Sequence, residues 1–188
     1  QGTPDTYTAW FPLSDLPPAM GGLQISSGSH RKGVYDFRPA LGAGGMEVTD
    51  NLEGTWVYNP FQQGDVLIFH SMAVHKGVAC TSDKLRLSID ARFQKASEPV
   101  SPGTLEPHGG IPWAEVYEGW STDDLKYYWK KWNLEVEPYD RQYFEKRDRL
   151  AFEMAESGDE LARSTLQRII ARDPDAAKRE KAEELLEK

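Results

Sequence analysis

The run Gly64-Asp65-Val66-Leu67-Ile68-Phe69-His70-Ser71-Met72-Ala73-Val74-His75 is followed, after a short polar loop, by Lys84-Leu85-Arg86-Leu87-Ser88-Ile89-Asp90-Ala91-Arg92-Phe93. The first run is apolar at successive positions, which is typical of a buried strand. The second alternates apolar and polar residues with the period of two that a strand imposes. We predict that the chain turns near residues 79–80 and brings Arg86 back on the same sheet, almost opposite His75.

A histidine and an arginine placed in this way suit a metal centre with an acidic co-substrate. Imidazole binds first-row transition metals, and the guanidinium fork of Arg86 can clamp a carboxylate through two parallel hydrogen bonds. Ser88 shares the face of Arg86 and can donate to the same carboxylate. The alternative for His75 is a hydrogen-bonded core histidine. The alternative for Arg86 is a structural ion pair with Asp90 or Asp65, since an unpaired buried charge is costly.

These runs resemble the distal half of the active site in the phytanoyl-CoA dioxygenase family, which are Fe(II)- and 2-oxoglutarate-dependent oxygenases. An earlier block is similar to that family's "A-W … N-G-x-L … P-G-S-H" segment. It consists of Ala9-Trp10-Phe11-Pro12-Leu13, Gly21-Gly22-Leu23-Gln24-Ile25 and Ser27-Gly28-Ser29-His30. The resemblance covers roughly residues 6 to 94. It implies that His75 is the distal iron-binding histidine, that Arg86 binds the far carboxylate of 2-oxoglutarate, and that Trp10 lines the co-substrate pocket.

The resemblance also implies two iron ligands that this sequence lacks. In the family, a His-x-Asp pair precedes the Ala-Trp segment, and non-haem Fe(II) oxygenases bind iron through two histidines and one carboxylate. No His-x-Asp occurs here. The other histidines, His30, His70 and His108, are followed two places later by Lys32, Met72 and Gly110. We interpret the chain as the C-terminal part of a longer protein, with His75 as its metal ligand and the other two expected upstream of Gln1.

The function implied by the resemblance is an enzymatic one. A non-haem Fe(II)/2-oxoglutarate-dependent dioxygenase would hydroxylate an unactivated C–H bond of a small molecule and release succinate and CO2. Fe(II) and 2-oxoglutarate would carry the chemistry, so no further catalytic residue is expected. One alternative is a degenerate, non-catalytic jelly-roll binding module. Another is a cupin-like metal isomerase or lyase, which would bind metal without needing 2-oxoglutarate.

Composition limits the partners. The 188 residues are 39% hydrophobic and 28% charged, which is ordinary for a globular protein. The net charge is −8, and acidic residues outnumber basic ones in both halves, so a nucleic-acid partner is not expected. No apolar stretch approaches the roughly 18 residues that suggest a membrane span. The single cysteine, Cys80, excludes an internal disulfide and suits a reducing cytoplasm, where we expect the protein to act.

The predicted fold class is mainly β with α, with a double-stranded β-helix core (jelly roll, cupin-like) followed by a helical extension. We assign residues 1–97 to the C-terminal part of the jelly-roll core. Residues 98–114 form a Pro/Gly-rich connecting loop, and 115–188 form the helical extension, through which a homo-oligomer is possible. Within the core, the glycine-rich residues 38–54 are predicted to be a long surface loop.

Helical signals recur along the extension. The box Ser121-Thr122-Asp123-Asp124 predicts a helix start, because apolar residues follow it at helical spacing. A second helix is expected to end at Gly158. Asp173-Pro174 predicts the cap and first turn of the last helix.

Overall fold

Strands occupy the first half of the chain and helices the second half. The computed structural model describes residues 3–42, 44–107, 110–137 and 142–187. The strands are β1 (Tyr7–Pro12), β2 (Gly22–Ser26), β3 (Phe37–Pro39), β4 (Met46–Val48), β5 (Trp56–Val57), β6 (Leu67–His70), β7 (His75–Val78) and β8 (Ser88–Phe93). The α-helices are α1 (Trp113–Val116), α2 (Gln142–Glu156), α3 (Arg163–Arg172) and α4 (Ala176–Leu186). Within the described residues, no helix is long and apolar enough to cross a bilayer.

Six of these strands form two antiparallel sheets. The first sheet has the order β6-β1-β8 and the second has the order β5-β2-β7. From β5 to β8, successive strands alternate between the two sheets, and this alternation is the connectivity of a double-stranded β-helix. The predicted fold class, a jelly-roll core with added helices, is therefore confirmed.

The predicted pairing of the two decisive runs is wrong. β7 pairs with β2 in the second sheet, whereas β8 pairs with β1 in the first sheet. The loop between them therefore crosses from one sheet to the other instead of closing a hairpin. The regular strand also begins at Ser88, two residues after Arg86. Arg86 thus lies before the strand of one sheet, and His75 begins a strand of the other.

A hydrophobic core joins residues from both sheets. Its buried members are Trp10, Leu16, Met20, Phe61, Phe69 and Ala73. The side chains of Leu23 and Ile25 from β2 pack against this cluster. After the Pro18–Met20 turn, Gly21 lies close to the backbone at the end of β7. A Cβ on Gly21 would lie only 2.3 Å from the Val78 carbonyl oxygen. Glycine at this position therefore lets β2 enter the sheet next to β7.

The chain divides into two compact units, which do not follow the linear order of the sequence. One unit comprises residues 2–34 and 51–99 and contains both three-stranded sheets. The other comprises residues 35–50 and 100–188. The prediction of a long loop at 38–54 is wrong, because β3 and β4 pair as an antiparallel hairpin in that segment. The glycines that suggested a loop provide its turn.

The second unit has its own core. Ala151, Ala162, Leu166, Ile169 and Ala182 are almost completely buried, which places α2, α3 and α4 around one apolar cluster. α2 ends before Gly158, as predicted, and that glycine has a φ of 79°. The last helix is capped by the side chain of Asp175, which accepts from the amides of Ala177 and Lys178. The predicted Asp173 cap is therefore wrong, since Asp173 follows the end of α3.

The predicted helix after Ser121 does not form. Residues 121–127 are bends and turns, and a single 3₁₀ turn spans Tyr128–Lys131. Tyr127 has a φ of 51°, which interrupts any helix at that point. The aromatic residues pack on one another instead. The ring of Trp113 lies 5.1 Å from Tyr117 and 4.7 Å from Trp129, measured between centroids.

Candidate active site

The register of the first sheet decides which side chains face the core. Trp10 is opposite Leu67 on β6 and Asp90 on β8, and Pro12 is opposite Ser88. Directly opposed residues project to the same side of a sheet. Because Trp10 belongs to the core cluster, Ser88 and Asp90 also lie on the core side of the first sheet.

His75 faces the same core from the second sheet. It is the first residue of β7 and lies opposite Ile25, whose side chain packs on the core. Its ring centroid is 4.9 Å from that of Phe69. The sequence does not single out Phe69, because every residue from Val66 to Phe69 is apolar. His75 remains solvent-exposed, so the core is open to solvent at this point.

The tautomer of His75 follows from its hydrogen bond. Its Nδ1 lies 2.9 Å from the carbonyl oxygen of Ala73. A carbonyl can only accept, so Nδ1 carries the proton and the lone pair is on Nε2. Metal-binding histidines are commonly oriented by such a bond from the other ring nitrogen. His75 therefore offers an accessible Nε2 that is suited to one coordination position of a transition metal.

Arg86 lies against the tryptophan of the core side. Its guanidinium carbon is 5.8 Å from the centroid of the Trp10 ring, within the range of a cation–π interaction. The predicted structural partners of Arg86 bond elsewhere. Asp90 pairs with Arg92 at 3.5 Å, and the carboxylate of Asp65 accepts from the amide of Gln62. Among the described residues, neither carboxylate pairs with Arg86.

The four predicted site residues thus lie around the core between the two sheets. Trp10 and Ser88 project from the first sheet toward the core, His75 projects from the second, and Arg86 rests on Trp10. Within the part of the chain that the structure describes, no group of three or more His, Cys, Asp or Glu residues could hold a metal ion. His75 fits one iron ligand, and the described residues do not complete the set. The roles of the four residues stay predictions.

Of the other described histidines, His70 projects to the side of the first sheet that faces away from the core. His70 is opposite Tyr7, which projects from the other side of β1, and its Nδ1 accepts from the amide of Met72 at 3.1 Å. Its ring packs edge-on against Tyr7 and lies 5.8 Å from the ring of His30. A structural role for His70 agrees with these contacts. His108 lies outside the described residues.

Cys80 lies in the loop between β7 and β8. Its thiol is exposed and lies 3.3 Å from the hydroxyl of Ser82. This hydrogen bond lowers the pKa of the Cys80 thiol below its ordinary value. The thiol makes its contacts with its own loop, in keeping with a cysteine outside the proposed chemistry.

The matched family is described as Phytanoyl-CoA dioxygenase (PhyH), and its model covers residues 1–88. The 1-deoxypentalenic acid 11-beta-hydroxylase of Streptomyces exfoliatus is 33% identical over 115 residues, which span 55% of this chain and 40% of the relative. The enzyme of the same name from Streptomyces arenae is 31% identical over 114 residues, with the same two coverages. The chain thus spans about two fifths of the length of these relatives.

Two solved structures are similar to part of this chain. One is the epimerase SnoN in complex with Fe3+, alpha ketoglutarate and nogalamycin RO, with 27% identity and a TM-score of 0.41. The similarity covers 52% of this chain and 38% of SnoN. The other is the non-heme alpha ketoglutarate dependent carbocyclase SnoK from nogalamycin biosynthesis, with 27% identity and a TM-score of 0.38, covering 57% of this chain and 45% of SnoK.

Proposed function

We propose that this chain, whose residues 1–88 match the model of the phytanoyl-CoA dioxygenase family, is part of a non-haem Fe(II)/2-oxoglutarate-dependent oxygenase that hydroxylates an unactivated C–H bond of a small molecule. The family match confirms the predicted resemblance. The observation that carries the proposal is that an accessible histidine Nε2 and an arginine with no carboxylate partner among the described residues face one open core.

Each predicted residue has a physical task in this proposal. His75 holds the iron through Nε2 while the Ala73 carbonyl fixes its ring. Arg86 anchors the far carboxylate of 2-oxoglutarate, and the face of Trp10 orients the guanidinium. Ser88 donates a hydrogen bond to the same carboxylate. Bound iron and 2-oxoglutarate supply the oxidising chemistry, with succinate and CO2 as co-products.

Hydroxylation is proposed because the two Streptomyces relatives, which are 33% and 31% identical to this chain, are named as hydroxylases. They are also named for an acid of small-molecule size, so we propose a small organic substrate and no nucleic-acid partner. We propose that polypeptide upstream of Gln1 supplies the two remaining iron ligands. This proposal is supported by the absence of a His-x-Asp pair from the sequence and of a group of three or more potential metal ligands among the described residues.

The same absence favours a second candidate. A degenerate jelly-roll module without turnover would also lack a complete set of ligands. The two candidates differ in the complete gene product, because only the oxygenase gains a histidine and a carboxylate from the added polypeptide.

Anaerobic titration of the complete gene product with Fe(II) and 2-oxoglutarate tests the proposal. The chelate of a keto acid on Fe(II) has a visible charge-transfer band, which requires an assembled iron site. The 188-residue chain is the matched control, and we expect no band from it. A band from the complete product, followed by succinate release with a substrate, supports the oxygenase. The absence of a band from the complete, folded product would refute the oxygenase.

A further inference from the structure

A buried serine hydroxyl lies next to the peptide that orients His75. Gly28 has a φ of 77°, a left-handed conformation that turns the chain just after β2. Ser29, which follows this turn, is 5% exposed, and its hydroxyl donates to the carbonyl oxygen of Ser26 at 2.7 Å. The same hydroxyl oxygen accepts from the amide of Val74 at 2.8 Å. The proposed chemistry gives no task to the Ser-Gly-Ser-His segment that contains this hydroxyl.

The amide of Val74 and the carbonyl of Ala73 belong to one peptide unit. That unit is planar, so a hydrogen bond that fixes the direction of its N–H also fixes the direction of its C=O. The Ala73 carbonyl accepts from Nδ1 of His75 at 2.9 Å. A continuous series of hydrogen bonds therefore runs from the imidazole of His75, through this peptide and the Ser29 hydroxyl, to the carbonyl of Ser26.

All the donors in this series point in the same direction. The imidazole donates to the peptide carbonyl, the peptide N–H donates to the hydroxyl oxygen, and the hydroxyl donates to the last carbonyl. Hydrogen bonds aligned in this way polarise and strengthen one another. Serine suits the central position, because a hydroxyl can donate and accept at the same time. The series therefore favours the proton on Nδ1 of His75 and leaves the lone pair on Nε2.

We infer that Ser29 is a positioning residue for His75, whose ring orientation and Nδ1–H tautomer it maintains through the peptide between residues 73 and 74. This inference rests on the proposed function, in which Nε2 of His75 binds iron. Without the hydroxyl, the half-buried Val74 amide loses its acceptor, and an unpaired amide in such a place is costly. The peptide then rotates toward another acceptor and moves the Ala73 carbonyl away from Nδ1.

Ser26 offers a matched control for a purely structural effect. Its side chain is 1% exposed, and its hydroxyl bonds the Thr55 hydroxyl at 2.7 Å, outside the series that reaches His75. Ser29→Ala and Ser26→Ala thus each remove one buried, hydrogen-bonded hydroxyl. We expect both variants to lower the free energy of unfolding, but only Ser29→Ala to change the imidazole. Ser29→Thr keeps the hydroxyl and should retain the wild-type tautomer.

NMR of the ring nitrogens in the 188-residue chain tests the inference without any metal. In alkaline buffer, where histidines are neutral, the shifts of the two nitrogens report which one carries the proton. The signals of His75 are assigned by their loss in His75→Gln. We expect the Nδ1–H tautomer to predominate in the unsubstituted chain, in Ser26→Ala and in Ser29→Thr. In Ser29→Ala a large share should convert to the Nε2–H tautomer.

Iron affinity provides a second measurement, made on the complete gene product, which we call the complete subunit. Anaerobic titration with Fe(II) should show that Ser29→Ala binds iron about tenfold to 100-fold more weakly than wild type, as is usual when a partner that orients a metal-binding histidine is lost. Ser26→Ala should bind iron with nearly wild-type affinity. Wild-type iron affinity in Ser29→Ala would overturn the inference.

Two further results would also overturn it. One is an Nδ1–H tautomer of His75 that persists in Ser29→Ala, and the other is an equal change of tautomer in Ser26→Ala. For a Ser29→Ala chain that does not fold, hydrogen exchange of the unsubstituted chain replaces the comparison. The Val74 amide should exchange far more slowly than an unprotected amide, and exchange at the unprotected rate contradicts the inference.

These measurements separate the inference from the proposed function, because the tautomer is observed without iron. A complete subunit that forms the Fe(II)–2-oxoglutarate band, with unchanged tautomer and iron affinity in Ser29→Ala, refutes only the positioning role. A complete subunit that forms no band, while Ser29→Ala converts the tautomer of His75, refutes only the oxygenase.

Discussion

At the residue scale, the sequence suggests the candidate site residues, and the structure shows which nitrogen of His75 is protonated and which side chains contact it. The spacing and the family resemblance led to His75, Arg86, Trp10 and Ser88. The sequence could not indicate that Nδ1 of His75 donates to the Ala73 carbonyl, because that bond depends on the turn before β7. It also could not single out Phe69, whose contact with His75 requires the two sheets to pack together.

Replacing His75 by alanine should abolish iron binding in the complete subunit. The variant retains at most two of the three expected ligands, and non-haem Fe(II) oxygenases of this class hold their iron through a triad of two histidines and one carboxylate. Iron content after gel filtration measures the effect. His30→Ala is the matched control, since that histidine is exposed and its ring lies beside the ring of His70. Iron bound at the wild-type level in His75→Ala, with normal turnover, would refute the assignment.

Replacing Arg86 by alanine should weaken 2-oxoglutarate binding by about 2–5 kcal/mol, which is the usual cost of removing one partner of a hydrogen-bonded charge pair. The concentration needed for half-saturation should therefore rise by roughly 30-fold to 4,000-fold. Anaerobic titration of the chelate band gives this concentration directly. Arg92→Ala removes an arginine that is already paired with Asp90 and should change it little. A similar loss in both variants would argue against a specific clamp.

At the element scale, local sequence patterns predicted where strands occur better than they predicted which strands pair with each other. The alternation in residues 84–93 correctly indicated a strand, but its partner strand depends on the path of a loop between two sheets. The hairpin of β3 and β4 was hidden by glycines, which are typical of loops and also of tight turns. The aromatic residues after Ser121 have helical spacing, but their mutual packing and the positive φ of Tyr127 prevent a helix.

Leu166 should be essential to the helical core. It is 1% exposed, and a Leu→Ala change at such a site costs about 2–5 kcal/mol of unfolding free energy. Gln167→Ala, at the next and exposed position of α3, should stay within about 0.5 kcal/mol of wild type. Urea unfolding followed by far-UV circular dichroism measures both. Equal stability of the two variants would mean that the three helices do not share one core.

Lys178, in the first turn of α4, bonds a carboxylate in the middle of α2 and another at the end of α3. Its Nζ lies 2.6 Å from Asp148 Oδ2 and 3.0 Å from Asp173 Oδ2. Partial burial acts to lower the pKa of Lys178, but the hydrogen bonds to Asp148 and Asp173 outweigh it and raise the pKa above 10.5. A raised pKa in the folded state means that the stabilisation is complete below the unfolded pKa and is lost as pH rises through the folded one.

The Lys178→Met variant should therefore be less stable than wild type at neutral pH by about 1–3 kcal/mol, because buried Asp148 loses a charged partner. The difference should shrink in alkaline solution above the raised pKa. Urea unfolding of both proteins at several pH values measures this difference. Tyrosine ionisation affects both proteins alike, so it cancels when the stability of the variant is subtracted from that of wild type. Lys181→Met is the control, since the pair of Lys181 with Glu156 is half exposed. A difference that stays constant through the alkaline range would contradict the linkage.

At the scale of the whole molecule, a linear reading of the chain captured the fold class and missed how the segments group. The change from strands to helices near residue 98 is visible in composition. The association of residues 35–50 with residues 100–188 is not, because it depends on contacts between distant segments. The Thr165 hydroxyl donates to the Gly45 carbonyl at 3.1 Å, and the Gly42 amide donates to the Ser164 hydroxyl. The boundaries at 97/98 and 114/115 stay a proposal.

These contacts predict that a fragment of residues 98–188 is less stable than the same segment in the whole chain. The fragment loses two hydrogen bonds, worth about 1 kcal/mol each. It also loses the burial of Phe37 on β3, which contributes about 1.5–3 kcal/mol. We therefore expect a loss of roughly 3–5 kcal/mol in the urea unfolding of the helical circular dichroism signal.

A substitution in the whole chain tests the contribution of the β3–β4 hairpin without truncating the protein. Phe37→Ala removes the ring that packs beneath the Lys146 ammonium, 5.2 Å from its centroid, and leaves the chain otherwise intact. It should lower the stability of the helical signal in the same direction as the truncation. If both the fragment and the Phe37→Ala chain unfold at the wild-type midpoint, the helices need no hairpin. The linear division at residue 98 would then describe the independent folding unit better than the grouping by contacts, because the contacts of residues 35–50 would contribute no measurable free energy.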